Sequence, residues 1–352
     1  MRSKFTDRHI QILSRMQIHQ SYTLDQIATL LSSAPSLPTL RRDVFALCSD
    51  GLLGKEGTLK SSRYALTARG IIESPIEAQK YCSEDVDRRG GERDFQFGIF
   101  SQLSESQIFF SEVQRLNEKT KEYQAKSVEV SEVLRNKELE RFVIELSWKS
   151  SKIEGNTYTL LDTERLLRDA YEAPGHTREE ARMIINHKHA FEYIMSDVNQ
   201  YREVSLKHIE EIHQLLVKDL GVDSGIRHKP VGITGSCYVP LSINSQIREA
   251  VTALCHAINN ASCPFAKAFI ALIGCSYVQP FEDGNKRTAR LLCNALLMAH
   301  QCAPLSYRSV HEVGFREAML VFYERNSIVS MQGIFIEQYL FACENYLAFY
   351  RG

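Results

Sequence analysis

Along the first part of the chain the apolar positions return every three or four residues, which predicts three short helices. The first runs roughly from Asp7 to Gln17 and turns Ile10, Ile12, Leu13 and Met16 inward. The second starts after Thr23, a residue suited to capping a helix, and buries Ile27, Leu30 and Leu31. The third starts at Ser36 and ends near Asp50, where Gly51 supplies a left-handed terminus. It buries Leu40, Val44 and Leu47 and leaves Thr39, Arg41 and Arg42 facing outward. Two strand-like runs around Gly54–Ser62 follow, with Lys55, Lys60 and Arg63 near the tip. Residues 81–96 are polar, contain Gly90 and Gly91 and show no period, which reads as a linker or exposed loop. A further helix is expected from about Ser104 to Lys119. From Val130 onward the pattern is helical, with one strand-like interruption at Val231–Pro240. The pattern predicts a mainly α protein, divided into a module at 1–80, a linker at 81–103 and a helical body at 104–352.

Three helices and a basic hairpin resemble a winged helix-turn-helix. In that fold the third helix enters the major groove of duplex DNA and the wing touches phosphate. On that reading Thr39, Arg41, Arg42, Lys55, Lys60 and Arg63 contact DNA, and paired half-sites imply a homodimer. A small helical protein-binding domain has the same pattern, so both remain open. Charge leans towards nucleic acid: residues 1–80 hold 11 of the 42 Lys and Arg but 7 of the 43 Asp and Glu. Nine scattered cysteines without a CxxC pair argue against a disulfide framework or a zinc site and for a reducing compartment. No apolar run is long enough to cross a membrane and no secretory leader is apparent. The expectation is a cytoplasmic bacterial protein with no membrane partner.

The chemistry concentrates in Tyr277-Val278-Gln279-Pro280-Phe281-Glu282-Asp283-Gly284-Asn285-Lys286-Arg287-Thr288-Ala289-Arg290, a polar loop between two apolar helices. One reading is a polyphosphate–Mg²⁺ site. Gly284 admits a close ligand, and Asn285 and Lys286 open a helix whose free N–H groups attract an anion. Arg287 and Arg290 share a helix face and can hold successive phosphates. Asp283 is a hard oxygen ligand for Mg²⁺. The alternative is a capped surface helix with Asp283 paired to an arginine. Composition alone leaves the two level.

This segment resembles the signature of Fic domains, His-Pro-Phe-x-acid-Gly-Asn-x-Arg-x-x-Arg, matching at Pro280, Phe281, Asp283, Gly284, Asn285, Arg287 and Arg290. Ser150-Ser151-Lys152-Ile153-Glu154-Gly155-Asn156 resembles the Fic inhibitory motif, Ser/Thr-x-x-x-Glu-Gly/Asn. Gly225-Ile226-Arg227 with Val231–Pro240 resembles the hairpin flap that registers a target protein's backbone, here through Ile233, Thr234, Gly235 and Tyr238. The resemblance covers about residues 104–350. It implies AMP transfer from ATP to a Ser, Thr or Tyr hydroxyl of a target protein. Asp283 would hold Mg²⁺ on the α- and β-phosphates. Asn285 and the amides of Gly284 and Lys286 would cradle the α-phosphate, with Arg287 on the β- and Arg290 on the γ-phosphate. The inhibitory helix, near 137–155, would pair Glu154 with Arg290, with Ser150 and Gly155 completing its motif. Without the resemblance, Glu154 is a solvated carboxylate at a helix end.

Two departures qualify that picture. Gln279 stands where the family places its catalytic histidine, and an amide takes up no proton near neutral pH. Lys286 replaces a common glycine and resembles the phosphorylating Doc branch, although the Glu154 motif favours the adenylylating one. Removal of AMP, with Glu154 helping water, also fits that class. The competing reading is a nucleotide-sensing transcription regulator without turnover. His228 and His300 can be nominated as substitute bases, and each is equally an ordinary structural residue.

Overall fold

The computed structural model describes residues 5–58, 61–105, 108–109, 111–126 and 130–349. The chain folds as two compact units. The first joins Met1–Asp94 with Ile233–Tyr238 and Glu317–Gly333; the second holds the rest.

In the first unit Thr6 caps α1 (Asp7–Arg15), accepting from the His9 N–H. Thr23 caps α2 (Leu24–Leu30) in a reciprocal box, with the Gln26 side chain accepting from the Thr23 N–H. Pro38 sits in the first turn of α3 (Leu37–Ser49), where its missing N–H costs no intrahelical bond. Three antiparallel strands, β1 (Ser21–Tyr22), β2 (Leu53–Glu56) and β3 (Arg63–Leu66), lie in the order β1-β3-β2, with Ser21 opposite Ala65 and Lys55 opposite Tyr64. Ile12, Leu13, Met16, Ile27, Leu40, Val44 and Leu47 close one core against Leu52, Leu53 and Tyr64. Two short helices follow, α4 (Ala68–Ile72) and α5 (Ala78–Cys82).

Residues 81–94, expected as linker, are built into this unit. The Glu92 N–H bonds the Glu324 carbonyl at 2.8 Å, and a Cβ on Gly91 would lie 2.7 Å from the Glu324 Cβ. The glycine is there for close packing. Lack of apolar period reflects bonding through backbone and polar groups, which no periodicity reports.

The second unit is helical. In place of one helix at 104–119 there are α6 (Ile99–Glu105) and α7 (Val113–Ala125), and between them Phe109 adopts φ +65°. Then come α8 (Glu132–Ile153), α9 (Leu160–Asp169), α10 (Arg178–Ser196), α11 (Leu206–Leu216) and α12 (Asn244–Asn260). The centre is α13 (Pro264–Val278) and α14 (Asn285–Ala299). Every α13 residue from Phe265 to Val278 except Lys267 is buried. This helix packs on α12 and α14, and α14 packs in turn on α8, α10 and α11. The chain closes with α15 (Glu312–Arg325) and α16 (Val329–Asn345), of which the stretch Glu317–Gly333 belongs to the first unit.

The expected β-hairpin at 231–240 is corrected: no residue there is in a strand. A turn closes instead from the Ser236 N–H to the Ile233 carbonyl at 3.1 Å. The Cys237 N–H goes to the Glu324 carboxylate, and Pro230 and Pro240 bring no donor to a ladder. Among the described residues no helix is long and apolar enough to cross a membrane.

Candidate functional site

Gln279 ends α13 in the left-handed region, φ +50°, its N–H bonding the Cys275 carbonyl. Its side-chain amide donates to the Ser276 carbonyl at 2.6 Å, and the residue is buried. Asn285 ties off the loop that follows. Its Oδ1 accepts from the Phe281 N–H and its Nδ2 donates to the Phe281 carbonyl, each at 2.8 Å. Gly284 lies between at φ +79°, and a Cβ there would meet Val217 Cγ1 at 3.1 Å. An L side chain is disfavoured twice over, by conformation and by space. The loop thus delivers the first turn of α14, whose N–H groups have no intrahelical acceptors.

Arg227 and His213 hold this loop from outside it. Arg227 is buried; its N–H bonds the Pro280 carbonyl at 3.0 Å and its Nε the Gln279 carbonyl at 2.7 Å. Its other nitrogens reach the carbonyls of Lys229 and Leu241. His213 Nε2 is 3.0 Å from the Asp283 carbonyl, and its ring stacks on Phe281 with centroids 3.7 Å apart. Neither stood among the expected site residues. Arg227 does fall in the matched Gly225-Ile226-Arg227, but His213 carries no local signal.

The cationic side chains lie one turn on. Arg290 is fully buried, and all three of its guanidinium nitrogens are taken by α8 and its end. Nε donates to Ser150 Oγ at 2.9 Å, Nη2 to the Ser150 carbonyl at 2.8 Å, and Nη1 to Glu154 Oε1 at 2.7 Å. Lys286 Nζ stands 3.6 Å from the other Glu154 oxygen. Arg287 Nη2 bonds Asp283 at 2.9 Å, while its Nη1 is buried without a partner. The pairing of Asp283 with an arginine is the one expected of a merely capped helix. The unmatched Nη1 beside it is a buried donor that an anion could satisfy.

Glu154 is placed by the way α8 stops. It is the C-cap residue, Gly155 follows at φ +99°, and the Asn156 N–H returns to the Ser151 carbonyl at 3.1 Å. Asn156 Nδ2 then bonds the Glu180 carbonyl in α10 at 2.9 Å. Ser147, Ser150 and Ser151 are wholly buried, and such small side chains let α8 lie close to α14. Burial alone would raise the Glu154 pKa. The charges of Arg290 and Lys286 and the bond from Arg290 outweigh it, leaving the carboxyl below its ordinary value.

Two buried histidines flank the cage. Burial, reinforced by Arg290 and Arg287, pushes His187 down to about 3. Burial also pushes His213 down to about 4, with the bond to the Asp283 carbonyl opposing and Arg287 adding. Both are neutral near pH 7.

Of the docking residues expected in the flap, Thr234 and Gly235 are exposed and Ile233 is half-buried. Tyr238 is buried, its ring 6.0 Å from that of Tyr323, so it offers no surface to a partner. In the N-terminal unit Arg41, Arg42 and Lys55 are exposed. Thr39 is half-buried with its hydroxyl 2.9 Å from that of Ser36, and Arg63 is bonded to the Ser21 side chain and carbonyl. Lys60 lies outside the described residues. His228 is exposed and His300 half-buried. Neither is hydrogen-bonded to the loop.

Residues 203–297, which run from before α11 almost to the end of α14, match the model of the Fic/DOC family. The chain carries a Fic/DOC-family domain. A protein adenylyltransferase Fic of Drosophila grimshawi is 31% identical over 160 residues, covering 43% of this chain and 32% of the relative. One from Nematostella vectensis is 28% identical over 165 residues, covering 46% and 39%. The chain thus spans about a third of the length of the curated relatives it matches. The fold is shared with Fic-1 (residues 134–508) of Caenorhabditis elegans, at TM-score 0.55 and 18% identity over 96% of each chain. A Fic-domain signalling protein of Bacteroides thetaiotaomicron aligns at TM-score 0.53 and 18% identity, over 68% of this chain and 99% of that one.

Proposed function

We propose that this domain binds Mg²⁺–ATP at the start of α14 and belongs to the AMP-transferring kind, with Glu154 holding it off. The observation that carries the reading is the capture of Arg290 by Ser150 and Glu154. A buried guanidinium made for phosphate is here neutralised by a carboxylate that a terminal phosphate would have to displace. Asn285, the α14 amides and Arg287 remain to receive the α- and β-phosphates.

Asp283 suits a metal that arrives with the nucleotide. Its side chain is 65% exposed, and among the described residues no group of three or more His, Cys, Asp or Glu could hold an ion unaided. One carboxylate with phosphate oxygens is a normal Mg²⁺ environment, and the ion would spread the charge on the phosphates. The acceptor hydroxyl oxygen bonds to the α-phosphorus, the bond from that phosphorus to the bridging oxygen breaks, and pyrophosphate leaves. The hydroxyl proton passes to solvent, because Gln279 cannot accept it; transfer is therefore slow, and the same cage would serve hydrolytic removal of AMP. The turn at 233–238 is read as the docking segment for the acceptor protein.

The N-terminal unit is read as a winged helix-turn-helix on duplex DNA, with Arg41, Arg42 and Lys55 exposed towards it and a second copy on a paired half-site. Gln279 and that module together favour a second reading, a nucleotide-sensing transcription regulator. Radiolabelled ATP carrying the label at the α-phosphate separates them. Label transfer by the Glu154→Gly chain supports the enzyme. Nucleotide binding without label transfer, even in a chain carrying both Glu154→Gly and Gln279→His, supports the sensor.

A further inference from the structure

Within the first unit, the turn Ile233–Tyr238 is gripped from one side by a buried polar cluster. Glu324 is fully buried, and a buried carboxylate is stable only when charges and donors surround it. Its Oε1 accepts from Ser236 Oγ at 2.8 Å and from the Cys237 N–H at 3.2 Å. Its Oε2 accepts from the Tyr81 hydroxyl at 2.9 Å. Arg89, also buried, stands 3.5 Å from Oε1 and donates from the same Nη2 to the Gly235 carbonyl. The Tyr238 N–H then bonds Ser236 Oγ at 3.2 Å. Successive backbone groups of the turn are thus held by side chains from α15 and from the segment after α5. Gly91 makes room for this: a Cβ there would lie 2.8 Å from Cys237 Sγ and 2.9 Å from Glu324 Oε2.

We propose that Glu324 and Arg89 are positioning residues that fix the docking turn and so set the affinity for the acceptor protein. The claim rests on reading 233–238 as the docking segment. A turn with two residues exposed at its tip, Thr234 and Gly235, would otherwise sample many conformations, and ordering it on binding weakens affinity. Here the ordering is done by the fold.

The test uses the full chain carrying Glu154→Gly and Gln279→His, compared with the same chain carrying Arg89→Ala, Arg89→Lys or Ser236→Ala. Amide exchange over 233–238 and transfer of α-labelled phosphate from ATP to proteins of a titrated cell lysate are both measured. Arg89→Ala should speed exchange in the turn at least tenfold and raise the half-saturating lysate concentration by a similar factor. The KM for ATP and exchange in α13 and α14 should hold, and Arg89→Lys should recover most of the loss. Faster exchange with unchanged acceptor dependence, or unchanged exchange in both Arg89→Ala and Ser236→Ala, overturns the proposal. If the parent chain transfers no label, the AMP-transfer reading fails instead, and exchange alone decides whether the clamp exists.

Discussion

The Glu154 carboxylate is bonded to the Arg290 guanidinium at 2.7 Å across 136 positions of sequence. Arg290 has no exposed surface, and Glu154 keeps 19% of its side chain in contact with solvent. An ion pair so placed is screened little by salt, and on the proposed function it occupies the cation that a terminal phosphate would need. Replacing Glu154 by glycine should therefore tighten ATP binding at least tenfold by titration calorimetry. Glu154→Gln should do part of the same, since an amide still accepts a hydrogen bond but carries no charge. Equal ATP affinity in all three chains would mean that the contact guards nothing.

On the proposed function Gln279 stands where a proton acceptor would act, with its backbone already in a left-handed turn and its amide bonded to the Ser276 carbonyl. The loop around it is anchored by Asn285 and Arg227 and does not depend on that side chain. Histidine substituted there should fold normally and supply the missing base. In a Glu154→Gly background, Gln279→His should speed label transfer by about 10²–10⁴-fold, the usual worth of a general base. A rate unchanged by the substitution would place the proton's acceptor elsewhere.

The sequence made legible what depends on neighbours in the chain. Thr23 caps α2 and Gly51 closes α3, because each preference is local to a few residues. The Gly284–Arg290 register follows from a short loop feeding one helix. What escaped was set at long range. Tyr238 reads as a docking residue but is buried near Tyr323, and Gly90-Gly91 reads as slack, yet Gly91 packs tightly against Glu324 and Gly90 lies against the Gln17 side chain. His213 meets Phe281 only because α11 crosses the loop, and nothing near His213 in sequence signals that partner.

Arg41 and Arg42 are exposed neighbours on α3, which otherwise buries Leu40, Val44 and Leu47. If they meet phosphate, Arg41→Ala with Arg42→Ala should weaken duplex binding and flatten its dependence on log salt by about 2, near 0.9 per lost contact. Mobility shifts across a salt series would show it. Binding with the same slope in the double variant would remove α3 from the interface.

His187 and His213 make the fold sensitive to mild acid. Their pKa values in the folded chain, about 3 and about 4, lie below the ordinary 6.5 from which both are lowered. Between those values the unfolded chain binds protons that the folded chain refuses, so stability falls as pH drops below about 6.5 and levels off only below the folded values. Each histidine should account for about 1.4 kcal/mol of the stability lost between about pH 7.5 and about pH 5.5. Urea unfolding at the two pH values measures the loss, and His187→Leu should shrink it by that amount even if its stability at the higher pH differs. Leucine at this buried position has no proton to bind in either state, so its effect on packing cancels from the comparison. A loss as large as the parent's would show that His187 is protonated inside the fold, beside Arg290 and Arg287, and would contradict a cationic cage that keeps it neutral.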